Sequence, residues 1–177
     1  ALARPMPAAP SHVARFGTRF HEWVVRHFDS PMLVDPDDMV DRADSDAAGD
    51  EELAELCRAF AAGRFGEAVP AALEFPFSLP IGAQEVRGRI DAVYTSTSVV
   101  PRDRRVLVVD WKTGRSRPDP LQLGIYRLAW AELHGLPLGQ VAAGFYHVRD
   151  DRLDLVGDLP DRTGIESLLS ELAPGVA

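Results

Sequence analysis

The chain has 177 residues, of which 46% are apolar and 26% charged. That is the composition of a soluble globular protein with one sizeable core. No run approaches the roughly 18 apolar residues of a membrane span. The proline-rich N-terminus has no secretory signal architecture and no initiator Met, so the sequence reads as a segment of a longer cytoplasmic protein without a membrane partner. One cysteine, Cys57, excludes an internal disulfide, a cysteine-built zinc site and an iron–sulfur cluster within the chain. The net charge of −8 argues at first against nucleic acid, but ten acids crowd into residues 35–55 beside a single base, Arg42. The remainder holds 17 acids against 18 bases. Arginines gather at Arg102, Arg104, Arg105, Arg115, Arg117 and Arg127, flanking the motif of interest in sequence, and are compatible with a phosphate ligand.

Residues 1–10 read as a tether, and residues 11–177 as a single domain carrying an acidic loop at about 30–50. Ser11 is a plausible N-cap for an amphipathic helix to about Phe28, with Val13, Phe16, Phe20, Trp23, Val24 and His27 at three- and four-residue steps. A second helix runs from about Asp50 to Ala62. The period then changes. Ala72 to Leu79 alternates as a strand, with Pro76 placing it at an edge. Glu85 to Tyr94 is a second strand, and Val106 to Trp111 a third that is apolar enough to be buried. Pro118 and Pro120 introduce a helix from Leu121 to His134. A strand from Val141 to Val148, a short one from Arg152 to Val156 and a helix capped by Asp161 follow. The expected fold class is α/β, a mixed central sheet of four or five strands flanked by helices.

The chemistry concentrates at Asp110-Trp111-Lys112-Thr113-Gly114. Lys112 is the only lysine; the other eighteen long basic side chains are arginine. Arg cannot replace a compact ammonium whose pKa is tunable. Asp110 and Lys112, two apart on a strand, leave the same face, while Trp111 points the other way into packing. If the second and third strands form a hairpin, Asp91 stands beside Asp110. Two adjacent carboxylates repel unless a cation lies between them, and oxygen ligands of this kind select Mg²⁺ or Mn²⁺. Lys112 beside such an ion is placed to position a water and neutralise charge on a phosphoryl oxygen.

Gly88-Arg89-Ile90-Asp91, the strand ending Asp110-Trp111-Lys112-Thr113-Gly114, and Gln122-Leu123-Gly124-Ile125-Tyr126 resemble, in this order, the motifs of the RecB-like branch of the PD-(D/E)XK nucleases. Gly17-Thr18-Arg19-Phe20-His21 resembles that branch's N-terminal histidine motif. The resemblance spans about residues 13 to 148. It implies a restriction-endonuclease-like core and a metal-dependent deoxyribonuclease. In that reading His21, Asp91, Asp110 and the carbonyl of Trp111 hold Mg²⁺ or Mn²⁺, Lys112 orients the attacking water, and Gln122 and Tyr126 line the site. It further implies DNA as partner (single strands or duplex ends), exonuclease rather than endonuclease action, and a helicase in the same polypeptide or complex serving double-strand-break repair and recombination. No Gly-x-x-x-x-Gly-Lys loop is present, so any motor lies outside this sequence. Relatives often carry an acid where Glu74 stands, but alternation alone turns Glu74 outward. Gln122 and Tyr126 also read as a helix-surface pair, His21 as a surface helical residue, and the whole as a non-cleaving module that binds DNA or docks a partner.

Overall fold

The computed structural model describes residues 12–29, 47–114 and 117–172. The tether, Ser11, most of the acidic loop and Arg115 lie outside them. The chain forms two compact units that divide between Cys57 and Arg58.

In the N-terminal unit, α1 (His12–Asp29) buries Phe20, Trp23 and Val24, the stripe expected from their spacing. Its rings form a ladder, with Phe20 stacked at 6.5 Å on Trp23 and Trp23 at 4.9 Å on His27. Helix α2 (Ala47–Ala62) begins three residues earlier than its apolar pattern suggests. Asp50 in its first turn is buried and ion-paired to Arg19 at 2.7 Å. An acid there also suits the positive end of the helix dipole.

The C-terminal unit takes the rest of α2 and a five-stranded sheet in the order β1 (Ala72–Ile81), β2 (Gln84–Tyr94), β3 (Val106–Lys112), β4 (Val141–His147) and β5 (Arg152–Leu155). Strands β1 and β2 form a tight hairpin, Ile81 opposite Gln84, whose turn uses Gly82 at φ 58°. Pro76 does lie on an edge strand. All neighbours are antiparallel except β3 and β4, which are parallel. A parallel pair needs a crossover, and α3 (Pro120–Leu133) supplies it. Asp119 caps α3 by accepting from Leu121 N at 3.0 Å, and Pro120 occupies the first turn, where no amide is needed. The helix stops where Gly135 turns left-handed at φ 61°. The last helix, α4 (Arg162–Leu172), is capped by Asp161 as its sequence implies, Gly164 N donating to Oδ1 at 2.9 Å.

Alternation along β3 splits the core. Val106 and Val108 join Val141, Ala143, Leu123, Leu128 and Ala129 under α3. On the opposite face Phe60 packs edge-on against Trp111, and Phe65 packs edge-on against Tyr146 and tilted against Tyr94. Among the described residues no helix is long and apolar enough to cross a membrane.

Candidate active site

Register brings the acids together. Ala92 pairs with Val109, so one further step sets Asp91 against Asp110, and Trp111 N donates to Asp91 Oδ2 at 2.8 Å. On the other side of β2, Leu73 pairs with Ala92 and Phe75 with Ile90, which leaves Glu74 opposite Asp91. Carboxylate oxygens of Glu74 and Asp91 lie within 4.8 Å of one another. Three neighbouring strands thus present Glu74, Asp91 and Asp110 in one row, with Asp91 and Asp110 only 8% and 5% exposed. Like charges so placed cost free energy unless a cation offsets them.

Glu74 departs from its expected outward, solvated position. It is half-buried and adopts a left-handed backbone, φ 46°, which is uncommon for a residue with a Cβ. The reset of alternation at this residue turns the carboxylate toward Asp91, and nothing in the period-two pattern announces it. Arg89 approaches Glu74 at 3.7 Å from an exposed position.

Lys112 Nζ sits 2.6 Å from Asp110 Oδ2 and 5.3 Å from the ring centroid of Phe145, the residue paired with Asp110 on β4. That close approach lacks hydrogen-bond geometry, and Asp110 Oδ2 is a buried oxygen that receives no hydrogen bond from any described residue. A buried anionic acceptor left in this way is costly. It suits a cation ligand.

Helix α3 closes the site from above. Gln122 Nε2 donates to Tyr126 Oη at 2.7 Å, so the two share a face as their spacing requires. The Tyr126 phenol is pushed up to about 12 by burial and then by the charges of Asp91, Asp110 and Glu74, with the Gln122 bond opposing. All three acids are therefore within electrostatic reach of one hydroxyl. Phe77 holds the Tyr126 ring edge-on at 5.8 Å. A Cβ on Gly88 would fall 2.7 Å from Phe77, which explains the glycine at the head of Gly88-Arg89-Ile90-Asp91. The motif glycine makes room for the ring that positions the tyrosine.

His21 lies on α1 in the N-terminal unit, half-buried and edge-on to Phe20 at 6.0 Å. The side chain of Trp111 belongs to the aromatic layer, so only its backbone faces the acids. His147, to which the sequence gives no role, is Lys112's neighbour on β4 and meets Asp154 at 3.1 Å. Four of the flanking arginines, Arg102, Arg104, Arg105 and Arg127, are placed away from Lys112. Arg102, Arg104 and Arg105 precede β3, at the end opposite Asp110. Arg127 donates to the Val141 and Leu138 carbonyls at 2.8 and 3.0 Å, which pins α3 to β4.

Fold and site together define a class. The family model described as the PD-(D/E)XK nuclease superfamily matches residues 2–173, and the chain belongs to that superfamily. It is also similar to the Gene 69 protein of Mycobacterium phage L5, 47% identical over 60 residues, which is 34% of this chain and 19% of that protein. The chain therefore spans about a fifth of the length of this relative.

Proposed function

We propose that this chain is a metal-dependent deoxyribonuclease of the RecB-like branch, hydrolysing DNA phosphodiester bonds as the nuclease part of a helicase–nuclease in double-strand-break repair. The observation that carries the reading is the row Glu74, Asp91 and Asp110 with Lys112 at its end and one buried Asp110 oxygen without a hydrogen bond. The donor set fits a hard divalent cation, Mg²⁺ or Mn²⁺. Asp91 and Asp110 would hold it, with Glu74 and the Trp111 carbonyl as further oxygen donors. His21 is proposed as a further ligand on its sequence motif. When bound, the ion supplies Lewis-acid polarisation of the phosphodiester and acidifies water.

The protein's own groups divide the remaining work. Lys112, steadied by Asp110 and the Phe145 ring, orients the attacking water and offsets charge on a non-bridging oxygen. Tyr126 stays a neutral phenol, and because its oxygen accepts from Gln122, its own hydrogen is left to donate toward substrate. Water oxygen forms a bond to phosphorus as the bond to the leaving O3′ breaks, and O3′ takes a proton, giving 5′-phosphate and 3′-hydroxyl ends.

The test is cleavage of single-stranded DNA with Mn²⁺, comparing wild type with Asp110→Asn and Lys112→Ala, alongside calorimetric titration of Mn²⁺. Cleavage lost in both variants, with Mn²⁺ uptake weakened by Asp110→Asn, is the expected result. Activity unchanged in the variants would remove these residues from the chemistry. A wild type that binds DNA, takes up no Mn²⁺ and cleaves nothing would make this a binding module.

A further inference from the structure

A second site stands at the other end of β3. The loop joining β2 to β3 closes against the last turn of α3 around a cavity of about 650 Å³. Such a volume is in the range of small-ligand sites. Three arginines, Arg102, Arg104 and Arg105, line it with Thr95, Thr97 and His134. Arg104 is committed in part to Asp103 at 2.7 Å. Arg102 and Arg105 are exposed and meet no acidic side chain among the described residues. Arg127 lies close enough for its guanidinium to be held below the ordinary arginine range, by burial first and then by Arg104. Positive charge is therefore gathered here in excess, with Asp103 the acid that meets it.

The loop is also held in shape. Val99 N and Val100 N both donate to the Ser96 carbonyl, Arg104 N to Pro101 O at 3.0 Å, and Arg105 N to Gln140 O at 2.9 Å. The cost of ordering it is met on folding rather than on binding. At the cavity's wall the His134 ring stacks on Trp130 at 3.8 Å, a flat surface beside the arginines. Guanidinium forks recognise phosphate, and planar rings accept a base.

We propose that this cavity is a nucleotide-binding site distinct from the carboxylate row, with Arg102 and Arg105 holding phosphate and the ring stack supporting a base. Val106 and Asp110 are four residues apart on one strand, a span of roughly 13 Å. A phosphate seated here thus belongs to a nucleotide some way along the strand from the scissile one, or to a free nucleotide. The first source rests on the nuclease reading; the second does not.

The experiment uses the protein without metal for binding and with Mn²⁺ for cleavage, comparing wild type with Arg102→Ala/Arg105→Ala and with the double lysine variant. The probes are a 20-nucleotide single strand, a tetranucleotide and thymidine monophosphate. Both arginines are exposed, so the variants are expected to fold, and their melting temperatures check this. For the strand source, the alanine variant binds the 20-mer roughly tenfold more weakly and its dependence of log K on log salt flattens by about 1.4, two phosphates' worth for single strands. Lysine restores most of the salt slope, and tetranucleotide cleavage is unchanged. For the free-nucleotide source, thymidine monophosphate binding is lost while the 20-mer is unaffected. No change with either probe overturns the site. Wild-type cleavage of nothing, with the arginine-dependent binding intact, would sink the nuclease reading and leave this site standing.

Discussion

The two faces of β3 at its C-terminal end do opposite work with adjacent residues. Trp111 faces the aromatic layer, edge-on to Phe60 at 5.6 Å. Asp110 and Lys112 face α3 as a buried ion pair at 2.6 Å, with Asp110 Oδ2 receiving no hydrogen bond from any described residue. One face is stabilised by burial; the other sets carboxylates on neighbouring strands at an electrostatic cost. Natural folds keep such conflicts where chemistry needs them. The comparison also says which variants should separate folding from function.

The largest effect is expected from Asp110→Asn. Cleavage should fall about 10³-fold or more, roughly 4 kcal/mol of transition-state stabilisation. Stability of the metal-free protein should fall far less than cleavage does, because relief of repulsion with Asp91 and Glu74 offsets part of the cost of breaking the buried pair with Lys112. Thermal melts and single-turnover cleavage on the same preparations check both halves. A large loss of stability would mean that this carboxylate is structural.

Trp111→Ala should do the reverse. Truncating a buried aromatic costs about 3–5 kcal/mol. For a chain of this size that is a drop in melting temperature of roughly 10 °C. Cleavage per folded molecule, measured well below the melt, should remain within about tenfold of wild type, since the ring that is removed lies in the aromatic layer against Phe60.

Asp91 bridges the two faces, since its Oδ2 accepts from Trp111 N while the carboxylate stands in the row. Asp91→Ala should abolish cleavage and also cost about 1–3 kcal/mol for the orphaned buried amide. Asp91→Asn keeps an acceptor and should spare most of the stability but none of the activity. Equal stability of the two variants would show that the amide finds another partner.

These pairings explain what the sequence made legible. The stripe of α1, the Pro and Gly punctuation of α3, the alternation of β1 and the apolar run of β3 carry the fold, because period and turn chemistry are local. The Asp91–Asp110 adjacency followed from one hairpin and two motifs. Glu74 did not, since its left-handed φ resets the alternation from which its direction was read. Arg102, Arg104 and Arg105 lie away from the motif for a related reason. Closeness in sequence to Lys112 does not survive a strand, and Val106 to Lys112 carries the loop and the motif to opposite ends. His147 was invisible because a parallel partner is chosen by the crossover, not by neighbours in the chain.

The smallest expected effect concerns Tyr126. Its phenol is raised from 10.0 to about 12 by burial, then by Asp91, Asp110 and Glu74. A pKa raised on folding means that the native state holds its proton where the unfolded chain has released it. The contribution to stability is whole below about pH 10 and is lost as pH rises through about 12. Tyr94 and Tyr146 are shifted upward as well, first by burial, so alkaline unfolding should be shared among them. Tyr126→Phe should therefore blunt, without abolishing, the loss of stability above about pH 10, and slow cleavage about tenfold at neutral pH through the missing hydroxyl. In Asp110→Asn the Tyr126 midpoint should fall below that of wild type, because one of the charges opposing ionisation is gone. Phenolate absorbance across the alkaline range reads this directly, and a midpoint indifferent to residue 110 would separate the tyrosine from the carboxylate row.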